Sequence, residues 1–288
     1  MITYTCRNCG GQLKLSDAGG FTCKYCGSRA YMSDSELRGN DEFRKKIISF
    51  WMAKAVEKDN DYSGDTLWEE NGNVSYEMDN GQALRIAYMD KYVYPRMICY
   101  LAKRNVVYIF DDSREADLFL GGLRKLIFPE ADMKLDRCFP VIKQRVSLKD
   151  GKEALVFERK PYFYPAEIFA PYKAEHLAWV ISRMENICCA FEYSEITHGD
   201  ISPSSVFVNP LTHEGMLFGD WRLVGRKRAG VDLEHVRTAA KKISGGDGGI
   251  TLLTEFLNSI PKGDAYADFE YWDTVIEKGF GGHKFIKM

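Results

Sequence analysis

The chain has 288 residues, 45% of them hydrophobic and 28% charged, with 39 Lys and Arg against 41 Asp and Glu for a formal net charge of -2. That is apolar material for about two domains with a sizeable core, and the balanced charge excludes a protein that holds polyanions by bulk basicity. No run approaches the roughly 18 consecutive apolar residues of a membrane span, and residues 1–15 lack a signal peptide's apolar core, so the expectation is a cytoplasmic protein with no membrane partner.

Four cysteines fall early, as Cys6-Arg7-Asn8-Cys9 and Cys23-Lys24-Tyr25-Cys26, each pair followed by a glycine, Gly10 or Gly27. Two thiolates three positions apart grip one ion only where the backbone turns tightly between them, and a following glycine allows the positive φ such a turn needs. Between the pairs, Leu13 and Leu15, then Asp17-Ala18-Gly19-Gly20, then Phe21 read as a β-hairpin. The pattern resembles a zinc ribbon over residues 1–33. Cys6, Cys9, Cys23 and Cys26 would then hold a structural zinc ion, because a closed shell of thiolates leaves no open coordination position. In a unit of about 30 residues the metal supplies the folding energy that a small core lacks. Arg7, Lys14, Lys24 and Arg29 are partly balanced by Asp17 and Asp34, so protein docking is favoured over nucleic-acid contact for the ribbon. Cys99, Cys138, Cys188 and Cys189 sit in apolar surroundings and read as core residues.

The periodicity predicts a linker helix over 41–58, within a segment 34–60. Residues 59–81 are polar and punctuated by glycines, which predicts turns. Strands are then predicted at 83–89, 97–102, 106–110, 139–147 and 153–158, with one helix at 113–128. A long helix is predicted at 174–193, a turn at 245–249, and an aromatic-rich helix and extension at 269–285.

The segment His198-Gly199-Asp200-Ile201-Ser202-Pro203-Ser204-Ser205, followed by the apolar Val206-Phe207-Val208, resembles the catalytic loop of the protein kinases, H-R-D-x-K-P-x-N before a strand. His198, Asp200 and Pro203 match in register; Leu217-Phe218-Gly219-Asp220-Trp221-Arg222 resembles the strand that ends in D-F-G, and Val231-Asp232-Leu233 the helix whose aspartate anchors the catalytic loop from behind. The order of elements extends the resemblance backwards. Val106-Val107-Tyr108-Ile109-Phe110 is similar to the family's third strand, the helix after it to the family's next helix, and Leu155-Val156-Phe157-Glu158-Arg159 to the fifth strand and hinge. The implied fold is α+β: the ribbon, then a bilobal kinase-like domain with a β-rich N-lobe at 61–165 and a helical C-lobe at 166–288.

Phosphoryl transfer in that family needs a lysine on the third strand, a glutamate on the next helix, two metal-holding side chains and a base. Here Tyr108 stands at the lysine position and Gly122 at the glutamate position, and Lys103 serves only if the register slips. Ser202 replaces the catalytic-loop lysine, Ser205 the metal-binding asparagine, and Asp220-Trp221-Arg222 the D-F-G. No glycine lies between Gly81 and Gly121 to bring backbone close to phosphates, and Tyr88, Tyr92, Tyr94 and Pro95 are expected to fill the nucleotide cleft.

The expectation is a pseudokinase that binds and regulates a protein partner. The alternatives are an atypical phosphotransferase with Asp200 as base and Asp220, assisted by Ser205, holding magnesium and ATP, or a nucleic-acid accessory factor. Asp220 also has a structural reading, pairing with Arg222 or Arg226. His198 reads as a loop organiser, and the basic run Arg222, Arg226, Lys227, Arg228 as a solvated face, with an acidic partner or phosphate as the sharper alternative.

Overall fold

A computed structural model describes residues 65–128 and 135–284, together with the backbone of four short strands before them. These strands, β1 (Tyr4–Thr5), β2 (Gln12–Leu15), β3 (Gly20–Cys23) and β4 (Arg29–Tyr31), form an antiparallel sheet in chain order. β2 and β3 pair from Leu13↔Cys23 to Leu15↔Phe21, which is the hairpin expected between the cysteine pairs. Cys6, Cys9 and Cys26, the side chain of Cys23 and the predicted helix at 41–58 lie outside the described residues.

Six strands form a second antiparallel sheet in the order β5-β6-β7-β8-β10-β9: β5 (Gly72–Glu77), β6 (Ala83–Tyr94), β7 (Met97–Ala102), β8 (Asn105–Phe110), β9 (Ile142–Ser147) and β10 (Glu153–Glu158). β7 and β10 have their predicted bounds. β5 lies in the stretch read as turns, where Gly72 and Asn73 obscure the alternation of Val74 and Tyr76. β6 runs past Met89 because a register shift between Tyr88 and Asp90 carries the pairing onward to Tyr94. Along β8 the two-residue period sends Val106, Tyr108 and Phe110 into the main core, and Val107 and Ile109 into a smaller cluster on the other face of the sheet.

Helix α1 (Ser113–Leu123) follows β8, capped by Asp112, whose carboxylate accepts from the Glu115 N–H at 3.0 Å. It stops short of the predicted 128. After Gly121-Gly122 the N–H groups of Lys125 and Leu126 reach back only three residues, to Gly122 and Leu123, so the last turn tightens and ends. α1 buries Ala116, Phe119 and Leu120 against the sheet.

The rest of the chain is largely helical: α2 (Ala174–Tyr193), α3 (Val231–Ile243), α4 (Thr251–Asn258) and α5 (Ala265–Gly279). α2 has its predicted bounds and is buried along most of its length, with α3 and α5 packed on it and α4 packed on those two. α5 begins four residues early because Asp264 caps it, accepting from Ala267 N–H at 2.9 Å. Among the described residues no helix is long and apolar enough to cross a membrane.

Five short strands connect these layers: β11 (Tyr164–Pro165), β12 (Ile196–Thr197), β13 (Val206–Asn209), β14 (Glu214–Leu217) and β15 (Gly225–Arg226). β13 pairs with β11 and β14, and β12 with β15. The loop 198–205 therefore runs from β12 to β13 and the loop 218–224 from β14 to β15, so strand pairing clamps the two loops side by side at both ends. They carry the residues singled out by the sequence.

Candidate functional site

α3 holds the first loop from behind. Asp232, one residue into the helix, accepts from the backbone N–H of His198 and of Gly199, each at 2.8 Å, which is the anchoring role the kinase resemblance implies. Gly199 has φ +85, a conformation open to glycine at little cost, so both N–H groups turn toward one carboxylate. Burial pushes the Asp232 carboxyl up while these two donors pull it down.

Asp200 faces the second loop. One oxygen accepts from the Asp220 N–H at 2.8 Å and the other from the Ser202 hydroxyl at 3.3 Å. Burial raises its affinity for a proton, the Asp220 N–H opposes that, and the charge of Asp220 adds to it. The buried Ser205 hydroxyl donates to the Asp200 carbonyl at 2.9 Å and accepts from the Ser202 N–H at 2.8 Å, so it ties the loop to itself.

The carboxylate of Asp220 is itself held. Arg222 donates from Nε to Oδ1 at 2.8 Å and from Nη2 to Oδ2 at 2.7 Å, a bidentate pair, and its backbone N–H adds a third bond at 3.1 Å. The remaining Nη1 reaches Glu115 of α1 at 2.7 Å. Glu115 continues to Arg96 at 3.3 Å, and Arg96 also pairs with Asp112. Alternating charges thus run from the second loop through α1 to the turn between β6 and β7, where Arg96 adopts φ 61. The largely shielded Arg222 guanidinium thus occupies both oxygens of the Asp220 carboxylate. Of the two pairings weighed for Asp220, with Arg222 or Arg226, the structure shows Arg222; Glu115 carries no signal in the sequence, since its contact with Arg222 spans 107 positions.

Tyr108, at the expected lysine position, is 1% exposed and donates its hydroxyl to the Gly219 carbonyl at 3.2 Å. Its ring packs on Phe119 of α1 at 4.6 Å and on Phe157 at 5.6 Å, so it joins sheet, helix and second loop. Gly122, at the expected glutamate position, lies against the backbone of Trp221, where a Cβ would come 2.0 Å from the carbonyl oxygen. α1 therefore reaches the site through Glu115, about two turns earlier.

Of the four bulky residues expected in the cleft, two face it. Tyr92 donates to Glu167 at 3.2 Å, bridging β6 to the turn after β11, and Tyr94 feels the charges of Asp200 and Asp220. Tyr88 does not face it: the shift after Tyr88 places it on the sheet's other face, 5.0 Å from the Tyr100 ring. Pro95 is exposed in the turn. Lys103 is likewise placed away, because β8 keeps a continuous register from Asn105 and leaves Lys103 in the preceding turn, its ammonium 5.5 Å from the Trp68 ring centroid. At the expected hinge, the buried Arg159 guanidinium binds Asp65 at 2.9 Å and the carbonyls of Phe163 at 2.9 Å and Lys103 at 2.6 Å.

His198 is fully buried; its ring stacks on Phe191 at 5.4 Å and meets Trp221 edge-on at 4.5 Å, while Nδ1 accepts from the Asp200 N–H at 3.1 Å. It orders the loop as expected. Burial, then the nearby His235, pushes it down to about 3. An unfolded chain takes up this proton near 6.5, so the stability His198 contributes above about pH 6.5 is lost as pH falls toward 3. Glu185, pushed up to about 8, works in the opposite sense over part of this range, so the test is a difference. The stability gap between the wild type and His198→Gln in urea titrations is expected to narrow between about pH 7 and pH 5; a constant gap would mean His198 takes up its proton in the fold as readily as in the unfolded chain.

No family model and no curated protein sequence matches the chain. Among solved structures it is similar to the bifunctional kinase-methyltransferase WbdD, at 12% identity over 67% of this chain and 48% of that one, TM-score 0.46. It is similar also to vaccinia related kinase 3, at 12% identity over 79% and 85% of the two chains, TM-score 0.45. The third is the BubR1 kinase domain, at 9% identity over 83% and 93%, TM-score 0.46. The match spans less than half of WbdD, the first of these relatives.

Proposed function

We propose that this protein is a zinc-ribbon pseudokinase: a ribbon at 1–33, a linker at 34–60 and a kinase-like domain whose N-lobe (61–165) and C-lobe (166–288) form a protein-binding module without efficient phosphotransfer. The observation that carries the reading is the bidentate grip of Arg222 on Asp220. A kinase cleft needs that carboxylate free to hold a metal bridging the phosphates, and a cation opposite it on the third strand. Here the metal's place is taken by a guanidinium and the cation's by the Tyr108 phenol, bonded to Gly219. The Ser205 side chain is turned inward on its own loop, and the Asp200 carboxylate is taken up by Ser202 and by the Asp220 N–H of the second loop. Bonds that join β6, β8 and α1 to the helical part, through Tyr92, Tyr108 and Glu115, favour one closed arrangement whose surfaces serve recognition. Zinc, held by Cys6, Cys9, Cys23 and Cys26, would supply the ribbon's folding energy.

The test is a thermal-shift titration of zinc-loaded protein with ATP and magnesium. The midpoint is expected to stay unchanged into the millimolar range. A concentration-dependent rise that disappears in Asp220→Ala would mean a live nucleotide site and put the phosphotransferase reading, with Asp200 as base, in its place.

A further inference from the structure

The segment after Asp220 carries cations that the closed cleft does not use. Its backbone is fixed: Arg226 pairs with Ile196 in β15, the Arg228 N–H donates to Thr197 Oγ1 at 2.7 Å, and the Arg228 carbonyl accepts from the same hydroxyl at 3.4 Å. Lys227 is taken up by an ion pair with Glu192. Arg226 and Arg228 are exposed, and neither side chain has a hydrogen bond or ion pair among the described residues. The carboxylate that feels Arg228, Asp232, is buried and already accepts two loop N–H groups. Beside them Leu223 is 53% exposed, and a Cβ on Gly199 would lie 3.6 Å from Leu223 Cβ and 3.9 Å from an Arg228 Nη, so the guanidinium and the leucine share one surface over Gly199.

We propose that Arg226 and Arg228 dock an acidic segment of a protein partner, their guanidiniums taking its carboxylate or phosphate oxygens while Leu223 covers an adjoining apolar side chain. Two exposed guanidiniums two residues apart on a backbone held by Ile196 and Thr197 are preorganised for oxyanions, since little chain entropy is lost when they bind. The proposal rests on the binding-module reading and names the chemistry of the partner.

The experiment is fluorescence polarisation with the full zinc-loaded chain and three labelled peptides: one glutamate-rich, one carrying phosphoserine, and a neutral glutamine and serine counterpart. An acidic peptide is expected to bind, the neutral one not, with affinity falling as salt is raised. Arg226→Ala/Arg228→Ala is expected to weaken binding by about tenfold or more without moving the thermal midpoint, and Arg226→Lys/Arg228→Lys by less. Tighter binding of the phosphoserine peptide assigns the site to phosphate and of the glutamate-rich one to carboxylate, and either supports the proposal. Equal binding of neutral and acidic peptides, no binding of any, or acidic binding that the alanine pair retains overturns it. Such a failure with no response to ATP leaves the closed cleft standing and removes only the acidic partner, whereas an ATP response removes the binding-module reading whatever the peptides do.

Discussion

Replacing Arg237 by methionine is expected to cost about 3–5 kcal/mol at pH 8, and less at pH 5. Arg237 of α3 lies inside the helical layer, where Nη1 binds Glu185 of α2 at 2.9 Å and Nη2 binds Asp268 of α5 at 2.7 Å. Both carboxylates are at 0% exposure and the arginine at 4%, and the guanidinium also lies 3.4 Å over the Phe256 ring of α4. One cation thus joins four helices. Methionine keeps the apolar stem but leaves two acids in a low-dielectric interior without their counter-charge, which accounts for the size of the loss. The pH dependence follows from Glu185. Burial, then the charge of Asp268, pushes it up to about 8 while Arg237 pulls it down. Removing Arg237 leaves the raising influences unopposed, so the folded variant binds a proton that the unfolded chain, with an ordinary carboxyl, gives up above about pH 4.5. Stability of the variant must then fall as pH rises from about 5 to 8, more steeply than in the wild type. Urea titrations at both ends of that range measure it. A loss that is the same at pH 5 and pH 8 would show that packing over Phe256, rather than charge, is what Arg237 supplies.

The contrast between this triad and the loops shows what a sequence discloses. α2, β7 and β10 coincide with their predicted bounds because α2 is a long apolar-rich helix and β7 and β10 are continuous apolar runs bounded by polar residues. Asp232 was legible because its role is local to a motif: a helix start opposite a loop with a matching aspartate and histidine. Tyr108 was legible too, since strand alternation alone decides which way it points. The grip on Asp220 was half visible, because Arg222 is two residues away, but its second partner, Glu115, is fixed by the docking of α1. Tyr88 was misplaced by one irregularity, the register shift after it, which reverses the facing of a residue without altering the composition. Glu185 leaves a trace in the sequence: it sits four residues after Ile181 and three before Cys188, on the face of α2 that those buried residues line. A charge in such a place requires a buried partner. Nothing in the sequence says that the partner is an arginine 52 positions away.

Gly122→Ala is expected to destabilise the fold by about 3 kcal/mol or more, at the upper end of overpacking penalties, and the reason bears on the activity of the cleft. A Cβ at Gly122 would lie 2.0 Å from the carbonyl oxygen of Trp221 and 2.9 Å from its carbonyl carbon. Both atoms are backbone, in a turn whose Trp221 side chain is fully buried among Phe139, Phe191 and His198, so they have no rotamer to escape into. The helix would have to withdraw, taking Glu115 away from Arg222. Gly121→Ala is the control, because a Cβ there meets nothing within 4 Å; replacing a helical glycine at an open position is expected to be neutral or to stabilise by up to about 1 kcal/mol. Denaturant midpoints of the two variants separate steric contact from helix propensity, and equal midpoints would mean that α1 moves freely against the second loop. On the proposed reading, the carboxylate that a kinase needs on this helix has no room at Gly122, and Tyr108→Lys would place an ammonium in a buried site without that carboxylate to pair with it. The losses at the two positions then reinforce each other: a lysine cannot be restored without a glutamate, and the glutamate cannot be restored without moving the helix.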